Sequence, residues 1–248
     1  MSEQQETFFS HLLELRTRLI RAMLSVLLVF LCLVWWAKDL YALLAHPLLE
    51  VLPVGGKMIA TDVVGVFIVP IKVTLWLSLL VSMPVILYQA WAFIAPGLYA
   101  HEKRVALPLM VASCVLFVLG MAFAYFGFFP GVFRIMTLYT PEGVAWMTDI
   151  DKYLSFVMGM FLAFGATFEV PVVVVLLVMM NIVTTAKLAS LRRYIIVGAF
   201  VVAAVITPPD VTSQMMLALP MWLLFEMGLL AARLVERGRR KNAVVSRV

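Results

Sequence analysis

Residues 154–183 read LSFVMGMFLAFGATFEVPVVVVLLVMMNIV, thirty positions with one charge, Glu169. A bilayer core is about 30 Å thick and takes about 20 helical residues to cross. Inside it every backbone N–H and C=O must be satisfied within the chain, so an apolar run of this length spans as a helix. Glu169 stands 15 residues from Leu154 and 14 from Val183, at mid-membrane depth. A carboxylate there is costly on any scale. Two readings stand: a functional intramembrane acid, or a structural one that is protonated or paired with a polar group such as Gln214. Pro171 follows two residues later and frees backbone groups that would help satisfy it.

Working outward, further apolar runs cover 22–37, 63–94, 105–133, 194–206 and 215–225. The run at 63–94 is interrupted by Pro70, Lys72 and Pro84. Residues 194–206 number only 13 and 215–225 only 11, joined by Thr207-Pro208-Pro209-Asp210. The spacing predicts helices near 19–38, 66–94, 105–135, 153–182, 193–207 and 211–232, forming one transmembrane domain over 1–248. The last two make a short hairpin, which calls for a thinned bilayer or a tip below the far surface. The segment 1–10 is polar and acidic with no cleavage pattern of a signal peptide after it, so the first run is expected to stay as a helix.

The whole chain agrees. It has 248 residues, 64% hydrophobic and 13% charged, where soluble domains average about half and about a quarter. The net charge of +5 comes from 19 Lys+Arg against 14 Asp+Glu. The basic residues sit in separate short clusters rather than on one face, which excludes a nucleic-acid surface. Fourteen of the cations lie on one side: Arg16, Arg18 and Arg21; Lys103 and Arg104; Lys187, Arg192 and Arg193; and six in the tail from Arg233 to Arg247. Four lie on the other: Lys38, Lys57, Arg134 and Lys152. Positive charge stays inside, so both termini are expected in the cytoplasm with six crossings. Anionic lipids are the expected partners of those clusters. Trp35, Trp36, Trp91, Trp146 and Tyr194 sit near run ends, as an aromatic belt requires. Cys32 and Cys114 lie in apolar runs, where neither a disulfide nor a metal site is expected.

Enzyme signatures are missing. His101-Glu102-Lys103-Arg104-Val105 lacks the second His of a zinc-protease helix, and Gly55-Gly56-Lys57-Met58 lacks the flanking residues of a phosphate loop. No Gly-x-Ser-x-Gly elbow occurs. His11, His46 and His101 all fall outside the spans, so no cofactor and no catalytic residue is expected. The remaining candidates are acids and their neighbours. Phe8, Leu12, Leu15 and Leu19 share one face of an amphipathic helix, with His11, Glu14 and Arg18 on the next. Glu14 is either an i,i+4 partner of Arg18, worth about 0.3–0.5 kcal/mol, or a carboxylate held at the membrane surface for a ligand. Glu102 follows the Pro96-Gly97 turn. It is either a first-turn acid favoured by the helix dipole or a cation receptor. Both acids stand among many cations, so a cationic ligand must compensate with geometry. A guanidinium does so by bidentate hydrogen bonding. Asp210 and Gln214 sit at the hairpin tip, where Asp210 suits a helix cap.

Together these strings resemble the TatC family of twin-arginine protein translocases, proteobacterial form. The matching pieces are His11-Leu12-Leu13-Glu14-Leu15-Arg16-Thr17-Arg18-Leu19, Phe93-Ile94-Ala95-Pro96-Gly97-Leu98-Tyr99 followed by Glu102-Lys103-Arg104, and Thr207-Pro208-Pro209-Asp210, with Pro47, Phe67, Tyr125 and Glu169 in place. The resemblance covers essentially the whole chain. It implies a glove-like six-helix concave bundle in the bacterial inner membrane that receives folded precursors through an Arg-Arg signal peptide. It implies that Glu14 and Glu102 receive those arginines, with Arg16 and Phe93 nearby. It also implies single-span partners, TatA and TatB, self-association and drive by the proton motive force. Glu169, Gln214, Tyr125 and Thr207, with Asp210 at the hairpin tip, would form the membrane-embedded surface where partner helices dock. The alternative from another class is a proton-coupled small-molecule transporter using Glu169. It is disfavoured because halves matched in length are not visible.

Overall fold

The computed structural model describes residues 3–50, 57–94, 103–140, 147–207 and 210–245. Their side chains are described from 12 to 50, 57 to 93, 107 to 140, 147 to 207 and 210 to 237. Pro96-Gly97, Glu102, Trp146 and Pro208-Pro209 lie outside the described residues. The described chain is almost wholly helical, with one isolated bridge pairing Ile59 and Asp149. It divides into two units, Met1–Cys114 with Gly143–Phe156, and Val115–Glu142 with Val157–Val248.

In the first unit α1 (Glu3–Leu33) runs through a 3-10 turn, Val34–Trp36, into α2 (Ala37–Leu49). Leu12–Leu49 forms one 38-residue apolar stretch, and none of its most apolar window is buried within the chain. Leu13, Leu19, Met23 and Leu28 are all exposed. In water that would be an aggregation surface; in lipid it is the surface a spanning helix needs.

α1 packs on α3 (Gly65–Val81) and α4 (Met83–Ile94), and α2 packs on α3. α3 and α4 are two apolar arms that meet at a bend of 45°. The break has a local cause. Pro84 has no N–H to return to Leu80, and its ring crowds the preceding turn. Thr74 and Ser78 donate their hydroxyls back to the carbonyls of Pro70 and Thr74, at 2.9 and 2.6 Å, which also favours bending. Tyr153, near the start of α7 (Ile150–Phe168), donates its buried hydroxyl to Leu44 O at 2.7 Å and fastens that start to α2.

The second unit takes in the end of α5 (Lys103–Phe123), a π-helical turn at Ala124–Phe128, α6 (Phe129–Leu138), the rest of α7 and α8 (Val170–Met179). α9 (Thr185–Ser190), α10 (Arg192–Ile206) and α11 (Val211–Val245) complete it. Its core is aromatic. Phe128 and Phe164 lie 4.9 Å apart, and Phe129 meets Phe161 edge-on at 5.3 Å. α5 and α7 approach closely at Gly120, where an added Cβ would stand 2.6 Å from Phe164 O. α8 ends in a Schellman arrangement: Asn181 takes φ 55°, its N–H bonds Val178 O, and Ile182 N–H bonds Leu177 O. Thr184 then caps α9, accepting from Lys187 N–H at 3.3 Å.

Among the described residues four apolar stretches are long enough to cross a membrane, and five if the bent pair counts as one span. α10, at 15 residues, is too short for an unthinned core. The sixth helix corrects the expected short hairpin. The apolar run 215–225 lies inside a helix of 35 residues, of which Val211–Arg237 is long and apolar enough to span. Glu226 ends the apolar run but not the helix, because Arg192 at the start of α10 donates to both its carboxylate oxygens, at 2.7 and 2.9 Å. A charge paired in this way can sit within an apolar helix at far lower cost than a lone one.

Candidate functional site: an acid and a groove between the first and fourth helices

Glu14 lies on α1, two turns before the uninterrupted apolar run that starts at Ala22, and is half-buried. Arg18, one helical turn on, bonds Glu14 Oε1 through Nε at 3.0 Å and through Nη2. The i,i+4 pair is therefore formed. The Glu14 side chain nevertheless keeps 35% of its surface exposed. Both arginine contacts fall on one oxygen, and a half-exposed i,i+4 pair is worth only about 0.3–0.5 kcal/mol. A better-oriented guanidinium can displace it. Arg16, on the opposite side of the turn, is exposed. Glu102 lies outside the described residues.

Beside this pair a groove of about 240 Å³ opens between α1 and α4. Leu15, Leu19 and Ala22 line it from α1, at the i,i+4,i+7 spacing that makes one face. Ile86, Ala90 and Phe93 line it from α4, also at i,i+4,i+7. Arg18 lines it too, so the same residue borders both the ion pair and the groove. Gln89 supplies the one neutral polar side chain. Its Oε1 is buried with no hydrogen-bond partner among the described residues.

The structure thus brings Arg18 and Phe93 to one groove beside Glu14. Sequence reasoning passed over Gln89. The available signal was an amide three residues from Ile86 and four from Phe93, on the inward face of an apolar helix.

The second group of candidates lies in the other unit. Glu169 occupies the break between α7 and α8, with αR backbone and Pro171 following, and it is half-buried. Thr207 ends α10 in extended backbone, is buried, and donates its hydroxyl to Ala203 O at 2.8 Å. Asp210 caps α11, its Oδ2 accepting from Ser213 N–H at 2.7 Å. Gln214, half-buried, follows one turn on and bonds Asp210 O through its backbone N–H. Tyr125 sits in the π-helical turn and stacks on Phe161 at 6.5 Å. Such turns recur at functional sites.

In the first unit a polar clasp joins two segments distant in sequence. Ile59 N–H bonds Thr148 O, and Ile150 N–H bonds Ile59 O, at 3.0 and 2.9 Å. Asp149 Oδ2 accepts from Thr61 N–H and Oγ1, at 3.1 and 2.6 Å. Its Oδ1 accepts from the N–H groups of Asp151 and Lys152 at the start of α7. Lys72 pairs with Asp151 at 2.8 Å across an adjoining cavity of about 310 Å³. The hydroxyl of Thr61, then the backbone donors, hold the Asp149 carboxyl down at about 2. A depressed carboxyl stabilises the fold above its ordinary value near 4, and that contribution fades as pH falls towards 2. The thermal midpoint in detergent is therefore expected to drop between pH 5 and pH 2.5, and Asp149→Asn to flatten that drop. An identical pH profile in the variant would show that Asp149 is not the titrating clasp.

The family profile described as "Sec-independent protein translocase protein (TatC)" matches residues 10–220. This chain belongs to the TatC family. It is 54% identical over 227 residues to the Sec-independent protein translocase protein TatC of Azotobacter chroococcum, covering 92% of this chain and 89% of that one. It is 52% identical over 241 residues to that of Escherichia coli K12, covering 97% and 93%. Two crystal structures of the twin arginine translocase receptor TatC superpose on 90% of this chain. Their TM-scores are 0.78 and 0.80, their identities 38% and 36%, and 98% and 99% of their own lengths are covered. The TatC-family chain is accordingly a multi-pass membrane component of a protein translocase, and the small-molecule transporter alternative is set aside.

Proposed function

We propose that this chain is the receptor and core scaffold of a twin-arginine translocase. It binds the Arg-Arg signal peptide of folded precursors at Glu14 and Glu102, with Arg16 and Phe93 beside them. The observation that carries the reading is Glu14: an acid at the membrane surface among many cations, paired with Arg18 through one carboxylate oxygen and with a third of its side chain exposed. Recognition is electrostatic and needs no catalytic chemistry, and the proton motive force supplies the drive. Glu169, Gln214, Tyr125, Thr207 and Asp210 form the surface for single-span partners of the TatA and TatB type. Anionic lipids meet the basic clusters, and copies of the chain associate. The chain works as one transmembrane domain in the bacterial inner membrane, six crossings with both termini in the cytoplasm. Support for that orientation is the placement of fourteen of the 19 Lys+Arg on one side.

Photocrosslinking probes at positions 14, 93 and 102 test the receptor role in membranes. They are expected to capture a labelled twin-arginine precursor, and to lose it when its two arginines become glutamines. Capture indifferent to those arginines would overturn the reading.

The short α10 supports a second step. Its 15 residues cover about 22 Å against a core of about 30 Å, so the bilayer thins beside it and eases passage of cargo. Adding one helical turn within 194–206 is expected to cut transport severely while peptide crosslinking persists. Transport at the normal rate in that insertion variant would remove the thinning step.

A further inference from the structure

We propose that the cavity beside the Asp149 clasp binds the headgroup of one phosphatidylethanolamine, its ammonium at Asp62 and Asp151 and its phosphate at Lys152 and Lys72, with an acyl chain along α3. The site lies at the far end of α3 from the bend and is separate from the peptide receptor.

The cavity lies at a membrane face, because α3 and the apolar stretch Ile150–Met179 both begin at its walls. At about 310 Å³ it falls at the small end of ligand sites, about 300–1,000 Å³, a size for a headgroup. Charges of both signs line it: Asp62, Asp149 and Asp151 against Lys72 and Lys152. They are not equally engaged. The Asp149 carboxylate is saturated by four donors. Asp151 gives only Oδ1 to Lys72. The side chains of Asp62 and Lys152 have no hydrogen bond or ion pair among the described residues. The walls therefore hold open acceptors and an open cation together, the pattern a zwitterion complements.

Lys72 and its face of α3 point to a lipid rather than a soluble zwitterion. Lys72 stands seven residues beyond Gly65, about 10 Å along the helix. A bare ammonium at that depth is costly, and Asp151 draws it to the cavity at 2.8 Å. Ile68 lies one turn before Lys72, and Leu75 and Trp76 one turn after, so all four share a face. Ile68, Leu75 and Trp76 are exposed, and Ile68 also lines the cavity. The apolar track thus starts at the charged walls and runs into the bilayer, where an acyl chain covers it.

Charge selects among lipids. Three acids outnumber two lysines, so the net anionic headgroup of phosphatidylglycerol meets repulsion. A choline nitrogen has no N–H to donate. An ethanolamine ammonium has three, as a lysine does.

The test uses the full-length chain in a mild detergent. Dioleoyl phosphatidylethanolamine, phosphatidylcholine and phosphatidylglycerol are added in turn, and retained lipid is read by native mass spectrometry. One phosphatidylethanolamine per chain is expected to be held about fivefold more tightly than either other lipid, the scale of a partly exposed charged contact. Asp62→Asn is expected to weaken phosphatidylethanolamine and leave phosphatidylcholine unchanged. Lys152→Gln is expected to weaken both, and Lys152→Arg to hold both. Asp39→Asn, at an exposed acid of α2 outside the cavity, is the control and is expected to change neither. A folding defect would instead move every lipid together in Asp62→Asn. On the native chain, phosphatidylethanolamine with a photoreactive acyl chain is expected to label residues 68–76. Equal retention of the three lipids by the native chain overturns the proposal, as does undiminished selectivity in Asp62→Asn. So does label spread evenly over the spans. Displacement of the lipid by an equal concentration of soluble phosphoethanolamine, with no label on α3, would make the cavity a site for a soluble zwitterion and overturn the lipid assignment. No arm uses a twin-arginine peptide, so failure here leaves the receptor reading standing.

Discussion

Glu14→Ala is expected to abolish crosslinking to a twin-arginine signal peptide while the protein still inserts, and Glu14→Gln to keep only part of the binding. The magnitudes follow from charge. A hydrogen bond to an ionised partner contributes about 1.5–3 kcal/mol, and 1.4 kcal/mol is about tenfold in affinity. Loss of the carboxylate therefore costs roughly tenfold to a hundredfold. The amide retains shape and one acceptor but not the charge-assisted, bidentate grip. Arg18 is a weak competitor, because it reaches a single oxygen of a carboxylate that stays 35% exposed. Arg18→Gln is accordingly expected to leave crosslinking intact or raise it slightly. A collapse of binding in Arg18→Gln would mean that the Glu14–Arg18 pair is itself the ligand platform. Glu102→Ala is expected to match Glu14→Ala, by the family resemblance. Undiminished crosslinking in both Glu variants would refute the receptor role.

The second large effect concerns packing. Gly228→Val is expected to destabilise the seat of α11 on α8 by about 1–3 kcal/mol or more, as overpacking of a tight interior does. A Cβ at position 228 would stand 2.7 Å from Pro171 Cα and 3.1 Å from Val174 Cβ. The first of these is the backbone of a proline and cannot rotate away, so α11 itself must move. Gly198 is the control, since nothing lies within 4 Å of a Cβ built there. Gly198→Ala should be neutral or gain about 0.5–1 kcal/mol of helix propensity. Thermal aggregation midpoints in mild detergent separate the two. If Gly228→Val melts alongside Gly198→Ala, the helices do not approach as closely as described.

Much of this was legible from residue order. Pro84 marks the break between α3 and α4, and Asp210 after two prolines marks the cap of α11; both are local chemistry. The extent of α11 was only partly legible: the spacing ends it near 232, whereas the helix runs to Val245. Nothing next to Glu226 in the chain reveals that Arg192, 34 positions away, is its partner. The Asp149 clasp was equally hidden, because Thr61 stands 88 positions away. At the candidate site the sequence offered the Glu14–Arg18 pair by its spacing, and Phe93 near Glu14 only through the family resemblance. That Arg18 and Phe93 border one groove with an unsatisfied amide beneath it required α1 against α4.

By itself the sequence determined that this chain lives in lipid as helices and belongs to the translocase family. Apolar length, the obligation of each backbone group in hydrocarbon, and proline and cap chemistry all act within a few residues. Tertiary structure decided which charges distant in sequence are paired, how far past 232 the last helix runs, and where the groove lies. Each of those depends on atoms brought together from distant positions, and their energies arise only when water or lipid is excluded between them.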